Sequence, residues 1–269
     1  MCIRDSSFLA SGLFVLRINK VEENVPTRAE RKESKTSMRT ELGEGLRWVF
    51  GNPYLRTIST STATFNLFGS MMWAILMIYL VRTLKMSPAL IGIIFAIGQA
   101  GYLLGALTTN KISARIGVGP AIVVGAMCGI SQLLVPLAPQ NAHGAIPFLI
   151  VSGLIGGFGV VLYNVTQLSM RQAITPERLQ GRMNSVIRFI VWGVMPIGQL
   201  TGGALATVFD LRTAIWVGAI GCALAWVPLM FGPLRTLKTV PEVGQDEPRA
   251  DDLDTVPVVS GPVPLPEEP

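Results

Sequence analysis

Amides recur inside stretches of this chain that are otherwise apolar: Asn66, Gln99, Gln132, Asn164 and Gln199, with Gln167 just beyond Asn164. Lipid offers an amide no hydrogen-bond partner, so such a side chain faces a bundle interior or a water-filled cavity. It serves there either as interhelical glue or as a ligand contact. Trp73 follows Asn66 by seven residues, two helical turns, which puts ring and amide on one face. That pairing suits an amphiphilic small molecule, and Trp192 supplies a second aromatic on another helix. Arg188 is the basic residue placed within an apolar run, about a turn from its end. It either snorkels to the headgroups or forms a gate or anion contact at the mouth. No Asp or Glu falls inside any of these runs, so the carboxylate that ion-coupled transport usually needs is not among them.

Catalytic sets are not expected. The lone His143 sits in a polar connection, and Cys2, Cys128 and Cys222 lie far apart with no CxxC pair. A membrane-embedded enzyme would need clustered His, Asp or nucleophile–base groups at membrane depth. The reading is therefore no catalytic residue, no metal, no cofactor and no nucleic-acid partner.

The elements that must position the amides are legible in the distribution of charge. Only 14% of the residues are charged, against about 25% in a soluble domain. Those charges cluster between long runs that carry almost none. The runs predict six transmembrane helices at 57–81, 88–109, 120–138, 145–167, 184–207 and 212–232, each long enough to cross the hydrocarbon core. The fold class is all-α, a polytopic membrane helix bundle. Spaced pairs Gly101/Gly105, Gly125/Gly129, Gly153/Gly157 and Gly198/Gly202 predict close helix packing.

The chain is expected to divide into four parts. Residues 1–19 combine a spurious start with Phe8–Ile18, the end of a truncated transmembrane helix; 20–56 form a basic cytoplasmic loop ending in an amphipathic helix. Residues 57–232 form the six-helix domain, and 233–269, rich in Pro, Asp and Glu, a disordered tail. The amphipathic helix runs from Thr40 to Phe50, with Leu42, Leu46 and Val49 on one face, and Gly51-Asn52-Pro53 stops it. It is expected to lie on the cytoplasmic membrane surface. Orientation follows from Lys and Arg, which fall overwhelmingly on one side when connections are assigned alternately. Only Arg82, Lys85 and Arg212 fall on the other, so both chain ends are expected in the cytoplasm, with the cell membrane around the spans.

Between the fourth and fifth spans, Thr175 reads as an N-cap, Pro176 as a first-turn residue, and Gly181 as the end of a short helix. The pattern Arg171-x-x-x-Thr175-Pro176, then Gly181-Arg182, resembles the loop before the eleventh helix of the Major Facilitator Superfamily. Gly105-Ala106-Leu107 with Asn110, Lys111, Arg115 and Gly117 resembles that family's loop between helices eight and nine, with Asn110 near a common Asp position. Glu44–Arg47 with Asn52–Arg56, and Arg188 with Val191–Gly198, resemble enterobactin-exporter-like efflux members.

The resemblance implies the C-terminal half of a twelve-helix transporter, helices seven to twelve. The partners it implies are a small-molecule substrate, the lipid bilayer and a missing N-terminal six-helix half. It implies export of a small amphiphile, such as a siderophore or drug, by alternating access and proton antiport. Cavity-lining residues are then expected among Asn66, Trp73, Gln99 and Gln199, with Gln132 and Asn164 as further candidates. A non-transporting scaffold subunit and an importer of the same superfamily stand as alternatives.

Overall fold

The computed structural model describes residues 38–237. The chain divides into two compact units, 1–40 and 41–269. The expected half-span Phe8–Ile18, most of the basic loop and the tail beyond Leu237 lie outside the described residues.

Helix α1 (Met38–Gly51) is followed by α2 (Pro53–Ile78), which ends in a π turn over Tyr79–Thr83. Next come α3 (Pro88–Gly98), α4 (Ala100–Ile116) and α5 (Val118–Met127). A 3₁₀ segment, Cys128–Leu133, joins α5 to α6 (Leu134–Leu137). The long helices α7 (Ala142–Ala173) and α8 (Glu177–Val208) precede α9 (Leu211–Leu224) and α10 (Val227–Phe231). These make six helices long and apolar enough to cross a membrane: Pro53–Thr83, Pro88–Ile116, Val118–Leu137, Ala142–Ala173, Leu179–Val208 and Leu211–Phe231. The observed spans contain the predicted ones almost entirely but extend beyond most of them, because helices continue past their apolar stretch once polar caps close them.

Those caps explain the boundaries. Asn52 Oδ1 accepts from the N–H groups of Tyr54 and Leu55 at 3.0 and 3.3 Å, and Pro53 needs no partner at the first helical position. Asn141 Oδ1 accepts from Gly144 N, and Asp210 from Arg212 N and Thr213 N. Hydrogen bonding from Thr213 holds the Asp210 carboxyl below its ordinary range. Gly117, with φ 91°, makes the tight turn from α4 into α5, a conformation that favours glycine.

Two expectations for the loop before α8 are overturned. Pro176, not Thr175, occupies the N-cap position; it makes no side-chain cap bond, and Thr175 Oγ1 is buried without a partner. Extended backbone at Pro176 turns the chain before the helix begins, and Gln180 Nε2 instead donates to Thr175 O at 3.3 Å. Gly181 does not end a short helix. It lies within α8, because an interior glycine costs only about 1 kcal/mol and buried Met183, Val186 and Ile187 just beyond it hold the helix in place. Helix α1 packs on the bundle: Val49 is fully buried, and Gly45 lets the helix back onto Val186 and Arg182 of α8.

Packing of the spans follows a repeated scheme. The first span packs on the fifth and the sixth; the fourth packs on the second and the third; the third meets the sixth. Exchanging spans one to three for four to six carries each contact onto another. Consecutive spans run antiparallel, so the two triplets form an inverted repeat. Glycines sit at the equivalent crossings. A Cβ at Gly101 would strike the backbone of Leu154, and at Gly105 it would lie 2.9 Å from Val161 Cβ. At Gly198 and Gly202 it would strike the backbone of Leu67 and Met71. Ser70 Oγ also donates to Met195 O at 3.1 Å, tying the first span to the fifth.

One apolar cluster, including Leu76, Tyr79, Val135 and Ile215, fills the end near Asp210. The other, including Leu55, Ile122, Met183 and Leu229, fills the opposite end, called the basic end here because Arg56, Lys111, Arg115 and Arg182 lie there. At that end Gly119 N donates to Leu237 O at 3.0 Å, so the segment following the sixth span closes on the start of the third.

Gly101→Ala is expected to destabilise the detergent-solubilised protein by about 1–3 kcal/mol, because backbone rather than a yielding side chain blocks the new methyl. Gly92→Ala, with open space around it, should be neutral or slightly stabilising. Equal shifts in melting temperature for the two variants would refute the crossing as the packing determinant.

Candidate functional site

Between the two apolar clusters, and reaching the basic end, lies a cavity of about 610 Å³. That volume is within the roughly 300–1,000 Å³ common for small-molecule sites. Its walls come from the first span (Ser61, Thr62, Phe65, Asn66), the third (Gly125, Ala126, Gly129), the fourth, the fifth and Ala225 of the sixth. Glycines line it where helices meet closely: a Cβ at Gly125 would lie 2.7 Å from Tyr163 N, and one at Gly129 3.0 Å from Cys222 O.

The polar lining is ordered by a short network. Thr62 Oγ1 and the Tyr163 hydroxyl lie 2.6 Å apart, and Tyr163 donates to Ile58 O at 3.2 Å. Asn66 Nδ2 donates to Thr62 O of its own helix, which leaves its amide oxygen available. Ser61 Oγ donates to Ala225 O at 2.6 Å and fixes the first span against the sixth. Towards the basic end the lining becomes cationic. Arg171 Nη2 donates to Asn184 Oδ1 at 3.5 Å, and the Arg188 guanidinium carbon lies 5.8 Å from the centre of the Trp192 ring.

Of the candidates read from sequence, Asn66, Asn164, Arg171 and Arg188 line the cavity. Trp73 does not; it is 56% exposed and packs at a tilt on Phe95, ring centres 5.8 Å apart. Gln99 marks the break between α3 and α4 and is exposed, as is Gln199. Gln132 lies half-buried against Gly156, just behind the cavity wall. Sequence reasoning missed Thr62, Tyr163 and Asn184. Their signal was spacing: Tyr163, Gln167 and Arg171 recur every four residues, as do Asn184 and Arg188, so each set shares a helix face. Arg188 is also not alone inside a span, since α7 continues to Ala173 and encloses Arg171.

A family model described as Major Facilitator Superfamily matches residues 58–265, most of the chain. The chain belongs to that superfamily. It is a multi-pass membrane protein, and the members of that superfamily are transporters. No curated protein matches the chain.

In this Major Facilitator Superfamily chain the loop residues sit together at the basic end. Asn110, Lys111 and Arg115 are exposed on the last turns of α4, and Gly117 is buried at the turn that follows. Ser113 Oγ donates to Asn110 O at 3.2 Å. Across the same end, Arg182 at the start of the fifth span forms an ion pair with Glu44 of α1, both side chains 26% exposed. The pair clamps the amphipathic helix to the fifth span, and Gly45 permits the close approach. A double-mutant cycle on Glu44→Gln and Arg182→Gln should give a coupling of about 0.5–1 kcal/mol in thermal unfolding, reduced by salt. Additive single effects would show that the pair does not hold the helix.

Proposed function

We propose that this chain provides one six-helix half of an alternating-access transporter that exports small amphiphilic molecules. The basic end faces the cytoplasm of a cell membrane, and the cavity is part of the substrate path. The observation that carries the proposal is the cavity's lining. Apolar Phe65, Val160, Ile187 and Val191 stand beside Thr62, Asn66 and Tyr163, a surface for a ligand with both kinds of group. Asn164, Gln172 and Arg188 border it and are exposed, on helices where lipid would leave them without partners. A second six-helix half lying against the fourth and fifth spans covers them. Proton coupling is the family's usual device, and its carboxylate belongs to that other half, since none lies in these spans.

Orientation is supported by the placement of Arg56, Lys111, Arg115 and Arg182 at one end against Arg82, Lys85 and Arg212 at the other. Export rather than import is supported by the likeness of Glu44–Arg56 and Arg188–Gly198 to efflux members.

In everted membrane vesicles bearing this chain together with the proposed second six-helix half, a pH gradient should drive saturable uptake of at least one member of a panel of fluorescent amphiphiles. Asn66→Ala and Asn164→Ala should each lower that uptake roughly threefold or more at unchanged protein level. Uptake no greater than in control vesicles for every compound would favour a scaffold, and uptake only into right-side-out vesicles would reverse the direction.

A further inference from the structure

The basic end of the cavity contains a buried cation that the bundle itself does not neutralise. Arg171 is 9% exposed, its Nε has no hydrogen-bond partner, and its bond to Asn184 is long at 3.5 Å. One turn before it, Gln167 is 6% exposed, with Oε1 also unpartnered. Among the described residues, no Asp or Glu lines the cavity. Arg188 lies one turn beyond Asn184 and adds a second guanidinium beside the Trp192 ring.

A cation in the last turn of a helix interacts favourably with its dipole. That explains a guanidinium at the end of α7 but not one turned into a cavity with unmet donors. Leaving a buried charge without a counter-charge is costly, and removing buried hydrogen-bonding groups from water without partners adds to it. An anionic ligand offsets both. Gln167 Oε1 accepts a hydrogen bond, so the group beside the anion must donate one.

We propose that Arg171, assisted by Arg188, binds the anionic group of the transported molecule, whose class is an aromatic or apolar carboxylate with a hydroxyl or N–H next to the carboxylate. This deepens the export reading and rests on it. The carboxylate accepts from Arg171 Nε and Arg188, the neighbouring donor meets Gln167, and the apolar body lies against Ile187, Val191 and Trp192. Arg171 and Arg188 are then substrate-binding residues, and an uncharged analogue of the same shape binds more weakly.

Dansylglycine, an aromatic carboxylate with an adjacent N–H, and its neutral amide are the probes, with the protein in phosphatidylcholine vesicles and binding read by fluorescence. The acid should bind roughly tenfold more tightly than the amide, the worth of about one charge-assisted hydrogen bond. Arg171→Gln should abolish that preference. Arg188→Gln, whose side chain is exposed, should reduce the preference severalfold and carries the test should Arg171→Gln fail to fold. Equal binding of acid and amide by the unaltered protein overturns the proposal, as does a preference that survives in folded Arg171→Gln or one that is undiminished in folded Arg188→Gln. Replacing a third of the lipid by phosphatidylglycerol should change nothing; if it displaces the acid, the site holds a lipid headgroup and the proposal fails. Binding is read without transport, so the two readings separate. An acid bound selectively but never moved removes the transporter reading alone, and transport of amphiphiles with no acid preference removes this one alone.

Discussion

Every feature of this bundle depends on how closely its helix backbones approach one another. In lipid there is no hydrophobic drive to bring helices together, so association relies on van der Waals fit and interhelical hydrogen bonds. The crossings of the second span with the fourth, and of the fifth with the first, bring glycine against backbone, with no side chain between. Those two contacts are equivalents under the inverted repeat. They hold the two triplets against each other. Gly101, Gly105, Gly198 and Gly202 close those crossings, and Gly125 and Gly159, on the cavity wall, likewise meet the backbone of a facing helix.

The sequence carried much of this fold because lipid leaves the backbone so few choices. A charge-free run must become a helix, its length sets the span, and the distribution of Lys and Arg separates the two ends. The boundaries were less legible. Apolar stretches end before the helices do, and α7 runs through Gln167 to Ala173 because its inward face remains buried there. That extension is why Arg171 read as a loop residue from the sequence. At Thr175 the local preference for an N-cap lost to the extended backbone of Pro176.

The candidate site was half legible. Asn66 and Asn164 were found because an amide in an apolar run is conspicuous, but Gln99 and Gln199 satisfied the same criterion and do not line the cavity, nor does Trp73, chosen for its spacing from Asn66. Polarity in a run says that a residue avoids lipid and not which space it faces. That depends on helix rotation, which the packing partner determines. Tyr163 was overlooked for the opposite reason. A tyrosine in an apolar run looks unremarkable until its hydroxyl is seen 2.6 Å from Thr62 on a distant helix.

The contact between Gly119 and the Leu234–Leu237 segment bears on how the chain is made. The start of the third span is capped by a carbonyl that emerges only after the sixth span has been synthesised. During elongation, therefore, the third span enters the bilayer with its first turn unclosed, and the basic end takes its final form only when synthesis of the last span is complete. A ribosome stalled, or a reading frame ended, between the fifth and sixth spans would leave a membrane-inserted chain whose basic end is still open, a distinguishable target for the cell's quality control.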